Sequence, residues 1–154
     1  MRSRICFALA AFLVSACGGE AVDPEAEAER LMQTSREWSA VAQSRDVDRI
    51  LDYWTDDAVI ISPGEPERRG KAAIREYLEA SYQVPGFEVS WEPLEARVAS
   101  SGDLGYLVER TQVRVSGPQG MVTERFRAVT IWRNGADGRW RNSLDMSNAP
   151  PRNR

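Results

Sequence analysis

Residues 104–132 decide the fold: LGYLVERTQVRVS (104–116), GPQG (117–120) and MVTERFRAVTIW (121–132). Two long runs rich in β-branched and aromatic residues flank a Gly/Pro turn, which reads as an antiparallel hairpin. The turn sets the register. If Ser116 opposes Met121, then Val115 meets Val122, Thr111 meets Phe126, Glu109 meets Ala128 and Leu107 meets Thr130. That set holds most of the apolar side chains and is expected on the core face, since a one-residue slip would turn all of it to water. Arg110, Gln112, Arg114, Arg125 and Arg127 fall on the other face. Glu109 is the one ionisable group this register places mid-sheet on the apolar face. Desolvation disfavours its ionised form unless an Arg or several donors reach it. It is the candidate catalytic acid/base group, or the anchor for a polar ligand group. A buried structural bridge, to a helix Arg for example, or a register slipped by one are the alternatives.

Working outward, Asn134–Gly138 is a turn, and Arg139 to Ser147 closes the sheet. If Trp132 opposes Trp140, Arg127 faces Asp145 as an outer ion pair, and Asn142, Leu144 and Met146 point inward. Upstream, Phe87 to Trp91 alternates on odd positions, whereas Leu94, Ala96 and Val98 alternate on even ones. A bulge is expected at the intervening Pro93. Three helices come first. Asp23-Pro24 opens one that runs to about Ser44, with Leu31, Ser35, Trp38, Val41 and Ala42 on one stripe. Asp46 caps a second, whose face is Val47, Ile50, Leu51 and Trp54. Asp57 to Ser62 is a strand, and Gly70-Lys71 opens a third helix with Ile74, Tyr77, Leu78 and Ser81 inward, ended by Pro85-Gly86. Helices followed by a meander make an α+β fold: a cone-shaped, curved antiparallel sheet covered on one face by three N-terminal helices. Such a cone encloses a hollow. Its expected wall is Trp38, Tyr53, Trp54, Ser62, Leu107, Thr111, Phe126, Ala128, Thr130 and Asn142. Asp56-Asp57 is no metal pair, because adjacent strand residues point to opposite faces, and Lys71 reads as a solvated charge.

The N-terminus carries an address. Arg2 and Arg4 precede the apolar run Ile5–Val14, too short to cross a bilayer as a helix, and Val14-Ser15-Ala16-Cys17 follows. Residues 1–16 read as a signal peptide, 17–24 as a tether, 25–149 as the domain and 150–154 as a tail. The run resembles the lipobox of bacterial lipoproteins. That resemblance implies cleavage before Cys17 and its acylation, and two or more chains anchor stably. Gly18 after the cysteine favours the outer membrane, with the domain in the periplasm or at the cell surface. The alternative is an ordinary signal peptide cut after Ala16.

Composition narrows the chemistry. Removing residues 1–16 leaves 138 and takes the net charge from −3 to −5, unlike a nucleic-acid binder. The chain has no His and two Cys, Cys6 in the signal and Cys17 at the lipobox. No Ser-His-Asp triad, Cys-His pair or His/Cys-ligated zinc can be built. No metal or resident cofactor is expected, and any catalysis falls to carboxylates, hydroxyls, Tyr, Arg, Lys71 or a carried-in cofactor.

The segments Asp46-Val47-Asp48-Arg49-Ile50-Leu51-Asp52-Tyr53-Trp54, Asp56-Asp57-Ala58-Val59-Ile60 and Gly70-Lys71-Ala72-Ala73-Ile74, with Gly105-Tyr106 and Asp137-Gly138-Arg139-Trp140, carry a further resemblance. Over residues 27–149 the chain resembles the nuclear transport factor 2-like superfamily, most of all its SnoaL-like and uncharacterised secreted branches. The resemblance implies a cone with an apolar pocket, in a superfamily of isomerases, dehydratases, epoxide hydrolases and non-enzymes. The steroid isomerase branch carries a Tyr where this chain has Trp38, a general-base Asp where it has Ser62, and a second acid where Ala128 aligns. Steroid-isomerase chemistry is therefore not expected. The resulting expectation is an envelope lipoprotein whose cone binds a small apolar or amphipathic molecule. The alternatives are a carboxylate-based isomerase, dehydratase or hydrolase using Glu109, and an interaction module that forms a homodimer through the sheet face.

Overall fold

Turn chemistry and side-chain alternation place the central hairpin as expected. In a computed structural model that describes residues 22–148, strands β4 (Leu104–Gly117) and β5 (Gly120–Asn134) pair with Ser116 opposite Met121, Glu109 opposite Ala128 and Leu107 opposite Thr130. The signal segment, Cys17 and the tail from residue 149 lie outside the described residues. Leu107, Glu109, Ala128 and Thr130 are buried. Val122 was expected on the core face but is 44 % exposed, at a hairpin tip the helical layer does not cover.

The strands preceding the hairpin are β1 (Trp54–Ile61), β2 (Arg68–Arg69) and β3 (Glu88–Val98); β6 (Trp140–Asn148) follows it. The six strands run in the order β2-β1-β6-β5-β4-β3. All neighbours are antiparallel except β1 and β6, whose parallel pairing joins β1 and β2 to the meander. β1 begins at Trp54 rather than Asp57, so Trp54 reaches the core from a strand and not from the preceding helix.

Two bulges re-aim side chains. In β3 the register shifts between Pro93 and Glu95. The phase changes after Pro93, which is buried, and Leu94 is turned outward instead of inward. In β6, Trp132 faces Asn142 but Ile131 faces Leu144, leaving Ser143 as the extra residue. Polar side chains satisfy the backbone there: Ser143 Oγ donates to the Ile131 carbonyl (3.0 Å) and the Leu144 N–H donates to Asn142 Oδ1 (3.0 Å). Trp140 faces Asn134 rather than Trp132, and with the bulge added the expected pairing of Arg127 with Asp145 is wrong as well. Arg127 faces Asn148 and Asp145 faces Thr130. Asn142 still points inward, but Leu144 and Met146 exchange faces with Asp145 and Ser147.

Helix α1 (Pro24–Ala42) starts at Asp23, whose carboxylate accepts from the Glu25 and Ala26 N–H groups. It ends two residues short of Ser44, where Arg45 takes a positive φ of 60°. Helix α2 (Val47–Leu51) is capped by Asp46, and α3 (Gly70–Gln83) stops before Pro85. α1 lies on β3, and α3 on β1. Trp38 is the hub beneath them. Its ring meets Trp54 at 5.2 Å, Trp132 at 5.5 Å and Trp91 at 4.5 Å, all edge-on, and stacks on Tyr53 at 6.1 Å. Each such pair is worth about 0.5–1.5 kcal/mol beyond area burial.

Candidate functional site

The helices cover the sheet incompletely and leave a cavity of about 440 Å³. Its floor is the inner sheet face (Glu109, Thr111, Phe126, Ala128, Asp145, Ser147) and its walls include Trp38, Trp54, Tyr77, Tyr82, Phe87 and Trp91. Of the residues expected to line it, Trp38, Trp54, Ser62, Glu109, Thr111, Phe126 and Ala128 do so. Tyr53, Leu107, Thr130 and Asn142 do not. Leu107, Thr130 and Asn142 are fully buried in the core, Leu107 and Thr130 further along the same sheet face, and Tyr53 stacks on Trp38.

Glu109 is held without any cation. One carboxylate oxygen accepts from Ser35 Oγ of α1 and the other from Thr130 Oγ1 of β5 at 3.1 Å. Each hydroxyl is itself oriented by an indole: Trp91 Nε1 donates to Ser35 Oγ (3.1 Å) and Trp132 Nε1 to Thr130 Oγ1 (2.9 Å). With an indole proton already accepted, each hydroxyl turns its own proton to the carboxylate. Burial raises the Glu109 pKa, and the two hydroxyls partly offset that. Glu109 is thus both a bridge between α1 and the sheet and a pocket-facing acid. The bridge runs to Ser35, not to a helix Arg.

Glu124, opposite Val113, and Asp145 also face the cavity, so Glu109 is not the one ionisable group on this face; Asp145 is the more enclosed of the two. Its carboxyl accepts no hydrogen bond from a protein group among the described residues. Burial, and secondarily the charge of Glu109, push its pKa up to about 7. The β6 bulge puts it there, and the sequence carried no signal for that bulge beyond two adjacent polar residues, Asn142-Ser143. The wall residues Tyr77, Phe87, Val89 and Trp91 were legible as inward-facing, but not as pocket. Trp38 Nε1 and Trp54 Nε1 are buried with no acceptor among the described residues. Asp56 and Asp57 diverge as expected, Asp56 to Lys71 (3.0 Å) and Asp57 to Arg133 (2.9 Å), so Lys71 carries an ion pair. Among the described residues no cluster of three metal-ligating side chains forms, and no helix is long and apolar enough to cross a membrane.

Residues 35–143 match the family model described as a SnoaL-like domain. Solved structures share the fold. A ketosteroid isomerase-like protein from Erwinia carotovora is 21% identical, with 76% of this chain and 95% of that one covered and a TM-score of 0.63. A nuclear transport factor 2-like protein of unknown function from Pseudomonas putida is 20% identical, covering 82% and 88%, with a TM-score of 0.64. A protein of unknown function from Mycobacterium tuberculosis is 19% identical, covering 82% and 77%, with a TM-score of 0.70. No curated protein matches the sequence.

Proposed function

The chain belongs to the SnoaL-like domain family, and we propose that this member binds a small, largely apolar molecule bearing one polar group, held at the cell envelope by lipidated Cys17. One observation carries the reading. A cavity of about 440 Å³ is walled by aromatic side chains, and Asp145 stands in that wall without a protein hydrogen-bond partner among the described residues. Asp145 is half-buried in the cavity, and a carboxyl drawn away from bulk water gains from a polar partner, which a ligand can supply. Titration with the neutral dye N-phenylnaphthylamine tests this. Saturable dye emission excited through the pocket tryptophans is expected, and Ala128→Trp should abolish it while the far-ultraviolet circular dichroism stays native. Linear, non-saturating emission would sink the reading.

A second reading draws on the acids themselves. With a pKa near 7, Asp145 has the proton affinity of a general base at neutral pH and is placed to take a proton from a bound carbon acid, beside Glu109, whose own pKa burial raises. Deuterium exchange into an enone probe that vanishes in Asp145→Asn would favour it. The exposed apolar side chains on the outer sheet face support self-association as a third property of the same fold.

A further inference from the structure

We propose that the molecule taken by this pocket is a lipophilic organic cation, an amine or quaternary ammonium, whose head rests against Asp145 and whose body lies among Trp38, Trp54, Trp91 and Phe126. The inference rests on the ligand-binding reading above and names its chemical class.

The charge of the lining decides the class. The chain has 20 Lys and Arg against 23 Asp and Glu, nearly equal numbers. Yet the four charged residues that line the cavity are all acids: Glu65, Glu109, Glu124 and Asp145. They differ in how they are answered. Glu65 is paired with Arg68. Glu109 is answered by two neutral hydroxyls. Glu124 is exposed. Asp145 has neither a cation nor a donor among the described residues. An anionic ligand would meet these like charges with only the Trp38 and Trp54 indole N–H groups to receive it. A neutral ligand can pair with Asp145 by a hydrogen bond but leaves its ionised form without a counter-charge. A cation supplies the missing charge, and at a half-buried carboxylate that attraction is screened less than at an open surface.

The walls suit the same guest. Aromatic faces attract cations through their quadrupole, most strongly when both are desolvated. The protein already uses this contact beside the cavity, where the Arg68 guanidinium lies over the Tyr77 ring at 4.1 Å from its centroid.

The groups acting on Asp145 are Glu109 from β4 and Tyr77 from α3, while Thr130 of β5 and Ile60 of β1 are its strand neighbours. Arg68 of β2 acts on Tyr77 and Glu65. None of these supplies a positive charge to Asp145. A bound cation therefore favours the ionised carboxylate and lowers its pKa. Binding should strengthen as pH rises through about 7 and release a proton near neutrality.

The experiment compares three probes of one shape, phenylbutylamine, phenylbutanol and phenylbutyrate, by calorimetry and tryptophan quenching on the full-length protein. At about pH 8 the amine should bind about tenfold or more tighter than the carboxylate, and tighter than the alcohol. Asp145→Asn should remove most of the amine's advantage over the alcohol and the carboxylate. Near pH 5.5 the amine is still protonated, so its weaker binding there reports the protein's own acid. An alcohol or carboxylate that binds as tightly as the amine, or an amine affinity indifferent to Asp145→Asn, overturns the inference and leaves the pocket reading standing. If no probe binds and N-phenylnaphthylamine does not bind either, both fall. The ranking on the wild-type protein decides even if the variant does not fold.

Discussion

Asp145 shows how much one side chain can depend on one backbone irregularity. Its carboxyl is pushed up to about 7 in the folded chain, whereas the ordinary value is 3.8. Between those values the folded state binds more protons than the unfolded one, so stability falls as pH rises across that window. Asp145→Asn removes the penalty. The variant should be more stable than wild type at about pH 8, on the order of 1–3 kcal/mol, and nearly equal to it at about pH 4. Urea denaturation at the two values checks this, and a variant less stable at the higher pH would contradict it. Glu109 could be found in the sequence because its register follows from the Gly117–Gly120 turn. Its Ser35 and Thr130 partners could not, since a hydroxyl on a helix stripe does not announce which strand residue it will meet.

At the scale of the elements, legibility followed the turns. β4 and β5 were readable residue by residue because a short turn fixes a long ladder. β6 was not, since the shift between Ile131 and Trp132 inverts everything after Ser143. The pairing of β1 with β6 is non-local and parallel, and alternation within either strand says nothing of it. The seating of α1 depends on Gly105, which the sequence marked only as part of a family resemblance. A Cβ there would lie 2.9 Å from Leu31 Cδ2 and 3.0 Å from the Arg97 carbonyl oxygen. The strand must stay bare at that point for the helix to settle. Gly105→Val should cost about 1–3 kcal/mol by overpacking, reported as a lower urea midpoint with an unchanged slope. A neutral outcome would mean that α1 can lift without loss.

For the whole molecule, the β6 bulge has two opposite faces to answer for. It turns Asp145 and Ser147 into the cavity, and the same inversion turns Leu144 and Met146 to the outside. There the register aligns Tyr106, Ile131 and Leu144 in one row, and Val108, Val129 and Met146 in the next. Tyr106, Val129 and Met146 are each more than a third exposed. Contiguous exposed apolar side chains on an otherwise Arg-rich face are the surface on which self-association can be tested. We expect two copies to pair through it, with the arginines at the rim. Val129→Asp should then weaken the dimer by about tenfold or more, since it places a charge in the middle strand of the patch. Light scattering across a concentration series checks the shift, and pocket binding of the dye should survive it. Salt separates the two forces available. An apolar contact holds or tightens as ionic strength rises, whereas an association carried by Arg110, Arg125 and Arg127 on acidic partners dissolves. A chain that stays monomeric at every concentration would leave the exposed patch without this partner.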